Sequence, residues 1–153
     1  MTPRRRPTGR ATSLDYWTLA ELRYHIRLFL RRREIAAREA GIEPQQYLLL
    51  LQAKGLQARR PVTLGALAER LQLAHHSTVG LVDRLARRGM VARRIDESDR
   101  RNVLVDLRPK GEAVLKRLVL HSLSELRTEA PALVAAIRRL TRKRGHFKQE
   151  ETS

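Results

Sequence analysis

Two adjacent histidines, His75 and His76, precede Ser77, Thr78 and Gly80 in the stretch LAHHSTVGLVDRL, residues 73–85. Imidazoles so placed can ligate a metal, pass a proton, or donate to a partner outside the protein. A helical reading separates the two rings. At about 100° per residue, Thr78, Leu81, Val82 and Leu85 share an apolar face. His76, Gly80, Asp83 and Arg87 lie opposite, with Ser77 and Arg84 flanking them on one side and Val79 on the other. His75 sits about 100° from His76, and consecutive helical residues do not converge on one ion. The chain has no cysteine, and His25, His121 and His146 are distant in sequence, so no metal-ligand set is completed. No nucleophile or carboxylate is placed to share a proton with either ring. Contact with an external partner remains, weighed against plain solvation.

The charge of the chain bears on that partner. Thirty-two Lys and Arg stand against sixteen Asp and Glu in 153 residues, a formal net charge of +16. A field of that size favours polyanions, nucleic acid first and an anionic membrane second. Charge spread over many faces for solubility is the bland alternative. No apolar run approaches the roughly 20 residues of a membrane span, so no membrane partner is expected. The lack of cysteine removes disulfides and thiol chemistry and fits a reducing cytoplasm, the expected location. Paired carboxylates, a glycine-rich phosphate loop and a metal cluster are missing from the motifs, so neither enzyme activity nor a cofactor is expected.

The elements that must position the histidines follow from caps and periodicity. Residues 1–12, MTPRRRPTGRAT, read as a disordered basic arm and not a secretory signal. Ser13 or Asp15 can cap a long helix to about Arg38, on which Trp17, Tyr24 and Leu28 form one stripe and Leu22, Ile26 and Phe29 widen it. Two apolar stripes on one helix suit an oligomer. Gly41 and Pro44 separate it from a second helix, QQYLLLLQAKG, expected to end at Gly55. Thr63 can cap a short helix carrying Leu64, Leu67, Ala68 and Leu71 at helical spacing. Three residues later the histidine-bearing helix begins; it runs to Arg88 and closes at Gly89. Two short amphipathic helices joined by a tight turn make a helix-turn-helix. MVARRI and VLVDL then read as strands flanking the polar loop DESDRRN, with Val103, Val105 and Leu107 alternating against Leu104 and Asp106. That hairpin is a wing. From Pro109 the pattern is helical again, with a break or kink at Pro131, and residues 145–153 read as a flexible tail.

This order resembles the MarR family of bacterial transcriptional regulators. The residues that carry the resemblance are GIEPQQYLLLL, TLGALAERLQL, STVGLVDRLARRGMVARRIDESDRRNVLVDL and PKGEAVL, within residues 41–115. The implied fold is mainly α with a small β-hairpin: a winged helix-turn-helix over residues 41–108, flanked by dimerisation helices at 13–40 and 109–144. The resemblance further implies a homodimer, double-stranded DNA as partner, a recognition helix in the major groove and a wing in the minor groove. Many members release DNA when a small, often phenolic, molecule binds between the two domains.

The candidate sites follow. On the recognition helix they are His75, His76, Ser77, Thr78, Gly80, Arg84 and Arg87, although the wheel turns Thr78 toward the core. A histidine can donate to phosphate or to guanine O6 or N7, and Ser77 at a helix N-terminus suits phosphate. Family members often carry a basic residue where this chain has Gly80. Two readings stay open: a closer backbone approach to DNA, or readout shifted to the histidines and Arg84. In the wing the candidates are Arg93, Arg94, Ser98, Arg100 and Arg101. By resemblance Arg100 is the candidate for minor-groove insertion, whereas Arg101 has Asp99 and Asp96 as pairing partners. Arg108 stands where the family usually has a capping Ser or Thr, so a weaker cap is expected. Trp17, Tyr24, His25 and Tyr47 are either core or the lining of a pocket for a phenolic or carboxylate effector. The functional expectation is a sequence-specific regulator acting at a pseudo-palindromic site, a ligand-responsive repressor; a non-specific nucleic-acid-binding or chromosome-organising protein is the alternative.

Overall fold

The computed structural model describes residues 9–142. The expected arm falls outside these residues as far as Thr8, as do the tail 145–153 and His146. Five helices and one hairpin follow in order: α1 Ser13–Glu39, α2 Pro44–Gln57, α3 Leu64–Leu71, α4 His75–Arg87, β1 Val91–Ile95, β2 Val103–Leu107 and α5 Pro109–Thr141. The mainly helical winged fold expected from the sequence is present. None of the described helices is long and apolar enough to cross a membrane.

Local chemistry explains most of the boundaries. The start of α1 is capped by Thr12, one residue before Ser13: its hydroxyl accepts from the Asp15 amide at 3.3 Å, and Asp15 Oδ2 accepts from the Thr12 amide at 2.7 Å. Two helices end on glycines with positive φ, Gly41 at 78° and Gly89 at 68°. At each, the next amide reaches back five residues, Ile42 to Ala37 at 3.0 Å and Met90 to Leu85 at 3.0 Å, closing the helix in a Schellman motif. Thr63 caps α3 as expected, its hydroxyl accepting from the Ala66 amide at 3.0 Å. The helix-turn-helix turn passes through Gln72 at φ 54°, a left-handed conformation normally left to glycine or asparagine.

Three expectations are corrected. The second helix runs through Gly55 to Gln57, because Leu56 is buried in the core and continues the apolar face. Of the break or kink expected at Pro131, the break does not occur, because the residue lies inside α5. An exposed proline removes one backbone bond and can be tolerated when the flanking turns hold the helix. In β2, neighbouring residues Leu104 and Val105 are both buried, so the alternation is broken. The reason is a partner on each side. β2 pairs antiparallel with β1, Val91 opposite Leu107 and Ile95 opposite Val103, while Leu104 bridges Thr63 and the Val105 amide donates to Val62 O at 2.8 Å.

The chain divides into two packed units, each described by itself. One comprises Arg31–Glu125, so the last turns of α1 and the first turns of α5 pack with the winged helix-turn-helix. Its core contains Ala37, Leu49, Leu50, Leu67, Val82, Leu85, Val91 and Leu115. The other unit joins the start of α1 to the end of α5. That unit leaves large apolar side chains open: Trp17 is 61% exposed, Leu14 67%, Tyr24 57% and Ile137 42%.

Candidate nucleic-acid interface

The first turn of α4 carries His75, His76 and Ser77, all exposed. The helix starts at Ala74, which provides no side-chain cap, and the Thr78 amide is the first to bond back, to Ala74 O at 3.1 Å. The amides of His75, His76 and Ser77 therefore precede the helical ladder and lie on its positive end. Arg84 and Arg87 are exposed further along, and Gly80 is half-buried. Thr78 is corrected out of the set. It is fully buried, and its hydroxyl donates to Ala74 O at 3.1 Å, so the side chain is turned toward the core as the helical wheel placed it.

Carboxylates engage the wing-strand cations. Asp83, on the outward side of α4, pairs with Arg93 of β1, and the Arg87 Nε donates to the Asp83 carbonyl at 3.4 Å. Arg94 donates to Asp106 across the hairpin at 2.6 Å, which raises the guanidinium above its ordinary pKa. The helical wheel turns Asp83 outward but assigns it no partner. Its signal was an acidic residue on an otherwise basic face.

Side-chain bonds to its own backbone build the wing tip. Asp96 Oδ1 accepts from the Ser98 hydroxyl at 2.6 Å and the Ser98 amide at 2.9 Å, which holds that carboxyl below its ordinary pKa. Asp99 is held low as well, first by the Arg101 side chain at 3.0 Å and then by the Arg101 amide at 3.2 Å. Such Asx turns fix a loop without any core. Arg101 is therefore a loop brace. Among the described residues Arg100 has neither hydrogen bond nor ion pair, and its side chain is exposed at the tip.

Two residues that hold α4 were absent from the candidates. Arg88 follows the helix and donates to Gly41 O at 2.6 Å and Gln46 Oε1 at 2.9 Å, while its own carbonyl accepts from Lys110 Nζ at 3.0 Å. Gly111 of α5 lies against the Met90 carbonyl so closely that a Cβ would collide with backbone. Both depend on contacts between distant stretches, which spacing alone does not reveal.

The four residues read as core or pocket do not form one set. Trp17 and His25 line a cavity of about 230 Å³ in the unit made from the ends of α1 and α5, together with Glu21, Arg139 and alanines of α5. His25 lies 3.8 Å from Glu21. Tyr24 is exposed and packs edge-on to His25 with centroids 5.4 Å apart. Tyr47 is buried in the other unit, its hydroxyl 3.3 Å from Ser122 Oγ.

Known proteins share this fold. Residues 42–103 match the profile of the MarR family. An uncharacterized HTH-type transcriptional regulator, YsmB of Bacillus subtilis (strain 168), is 32% identical over 97 residues, 62% of this chain. The chain spans 64% of the length of that relative. A MarR family protein from Bacillus stearothermophilus superposes with a TM-score of 0.65 at 26% identity, covering 85% of this chain and 96% of that one. CouR from Rhodococcus jostii RHA1, solved with p-coumaroyl-CoA, superposes with a TM-score of 0.57 at 26% identity, covering 87% of this chain and 82% of that one.

Proposed function

Residues 42–103 form a MarR family domain, and from that premise we propose that the chain is a sequence-specific DNA-binding transcriptional regulator. One observation carries the reading. Within a single packed unit, α4 exposes His76, Ser77 and Arg84 while the wing exposes an unpaired Arg100. A helix N-terminus with short donors suits the major groove and its phosphates, and an isolated guanidinium at a hairpin tip suits a narrow minor groove. The net charge of +16 supplies the sequence-independent attraction.

The proposal includes a homodimer in the cytoplasm. The exposed Leu14, Trp17, Tyr24 and Ile137 are more apolar surface than a lone helical pair leaves to water, and a second copy supplies their cover. A two-fold dimer requires half-sites about 10 bp apart, centre to centre. Control by a phenolic or carboxylate effector, with repression as the resting state, is supported by the ligand of CouR and by the cavity beside Trp17 and His25. Selecting bound sites from random duplexes tests the reading. The expected outcome is a pseudo-palindrome with two protected half-sites and steep salt dependence. Equal affinity for random DNA would instead assign the chain to the non-specific, chromosome-organising class.

A further inference from the structure

We propose that Arg84 is the base-reading cation of α4, and that the lack of a long side chain at Gly80 leaves room for its guanidinium on the outward face. The inference rests on the DNA-binding reading above and adds the residue that sets its specificity.

Three observations lead there. The position a Cβ would take at Gly80 lies 3.5 Å from Arg84 Nη1, so the guanidinium has folded back over the glycine. Long side chains on a helix lean toward its N-terminus and cover the surface one turn before their own Cα. Arg84 thus presents its charge at the level of residue 80, about 40° round the helix from its own attachment and toward His76. Neighbouring cations have partners within the protein: Arg87 through its Nε alone on the Asp83 carbonyl at 3.4 Å, Arg88 on Gly41 and Gln46, Arg93 on Asp83 and Arg94 on Asp106. Among the described residues Arg84 has no such partner, and it is exposed.

The chemistry then narrows the target. A planar guanidinium with parallel N–H groups matches guanine O6 and N7 in the major groove. A long side chain at residue 80 would compete for that place. Its absence resolves the two readings of Gly80 in favour of a cation that arrives from one turn later. Alanine at 80 is still tolerated, because 3.5 Å is ordinary contact between Cβ and the guanidinium.

The test is site selection from random duplexes with the full chain, Arg84→Ala and Gly80→Ala, followed by affinities at several salt concentrations. All three should give the same helical signal, since Arg, Ala and an Ala-for-Gly exchange suit an exposed helix. Wild type should require guanine at one position of each half-site. Arg84→Ala should lose about 5- to 150-fold discrimination at that position and keep the preferences elsewhere. Gly80→Ala should select the same guanine. A uniform loss across sequences with a shallower salt slope would make Arg84 a phosphate contact and overturn the proposal. Loss of the guanine in Gly80→Ala alone would assign readout to the glycine backbone and overturn it as well. If wild type selects no site at all, the DNA-binding reading itself fails, an outcome separate from either of these.

Discussion

Asp83 of α4 and Arg93 of the first wing strand form an ion pair that ties the two candidate reading elements together. Both side chains are 39% exposed, so the pair contributes little stability, about 0.2–1 kcal/mol. Its larger effect is geometric, because it fixes the wing strand against the outward side of α4.

Asp83→Asn should therefore separate affinity from specificity. Removing one negative charge frees Arg93 for phosphate, so binding to random DNA should tighten and the salt slope steepen by about one contact per protomer. The ratio of specific to random affinity should fall, as the wing loses its register with the helix. Competition titrations at three salt concentrations measure both quantities. An unchanged ratio would reduce the pair to surface decoration.

Arg100 and Arg101 are adjacent and should behave differently. Arg100→Ala should weaken specific binding by about 1–3 kcal/mol, since its guanidinium has no role inside the protein. Arg101→Ala removes the brace on Asp99 and should loosen the tip, seen as faster amide exchange in residues 96–102. Fluorescence anisotropy with a selected duplex separates the two. Equal affinity for wild type and Arg100→Ala would place that side chain in solvent.

Acid should open the wing tip, and the sign follows from the direction of the shifts. Asp99, held chiefly by Arg101, and Asp96, held chiefly by Ser98, both lie below the ordinary aspartate value of 3.8. A depressed folded value means their contribution is complete above 3.8 and disappears as pH falls through the lower folded values. Neutral-range pH should leave the tip unchanged. Amide chemical shifts of Ser98 and Arg101 should titrate with midpoints below 3.8; midpoints at or above that value would contradict the loop geometry.

Gly111→Ala should destabilise the fold by about 1–3 kcal/mol, because the new methyl meets the Met90 carbonyl, which is backbone and also accepts from the Arg108 amide at 2.9 Å. Gly55→Ala is the natural control. Nothing lies within 4 Å of its Cβ position, so the exchange inside α2 should add about 0.5–1 kcal/mol. Urea unfolding of the two variants should move in opposite directions. A shift of the same sign in both would refute the close approach.

What was legible in the sequence was local. Thr63 could be read as a cap and Gly41 and Gly89 as stops because each acts on backbone within five residues of itself. The core face of α4 was legible because Thr78, Leu81, Val82 and Leu85 repeat with the helix, even though Thr78 was also counted as a contact. The misses needed distant partners. Leu104 is buried because Thr63 comes alongside β2, and no pattern within VLVDL announces that. Pro131, read as a break or kink, does not break α5, which continues through it. Tyr47, grouped with Trp17 by residue type, pairs with Ser122, 75 positions away.

Because Val62 and Thr63 fasten β2 while Thr63 also caps α3, the wing has no hinge of its own at the protein end. Peeling the hairpin away would break the Val105 amide bond and expose the cap of the first helix of the helix-turn-helix, so strand and helix open as one cooperative element. Compliance is then confined to the seven-residue tip, residues 96–102. On the DNA-binding reading proposed above, a duplex of the wrong groove width must bend that short loop or deform itself; it cannot swing the wing aside.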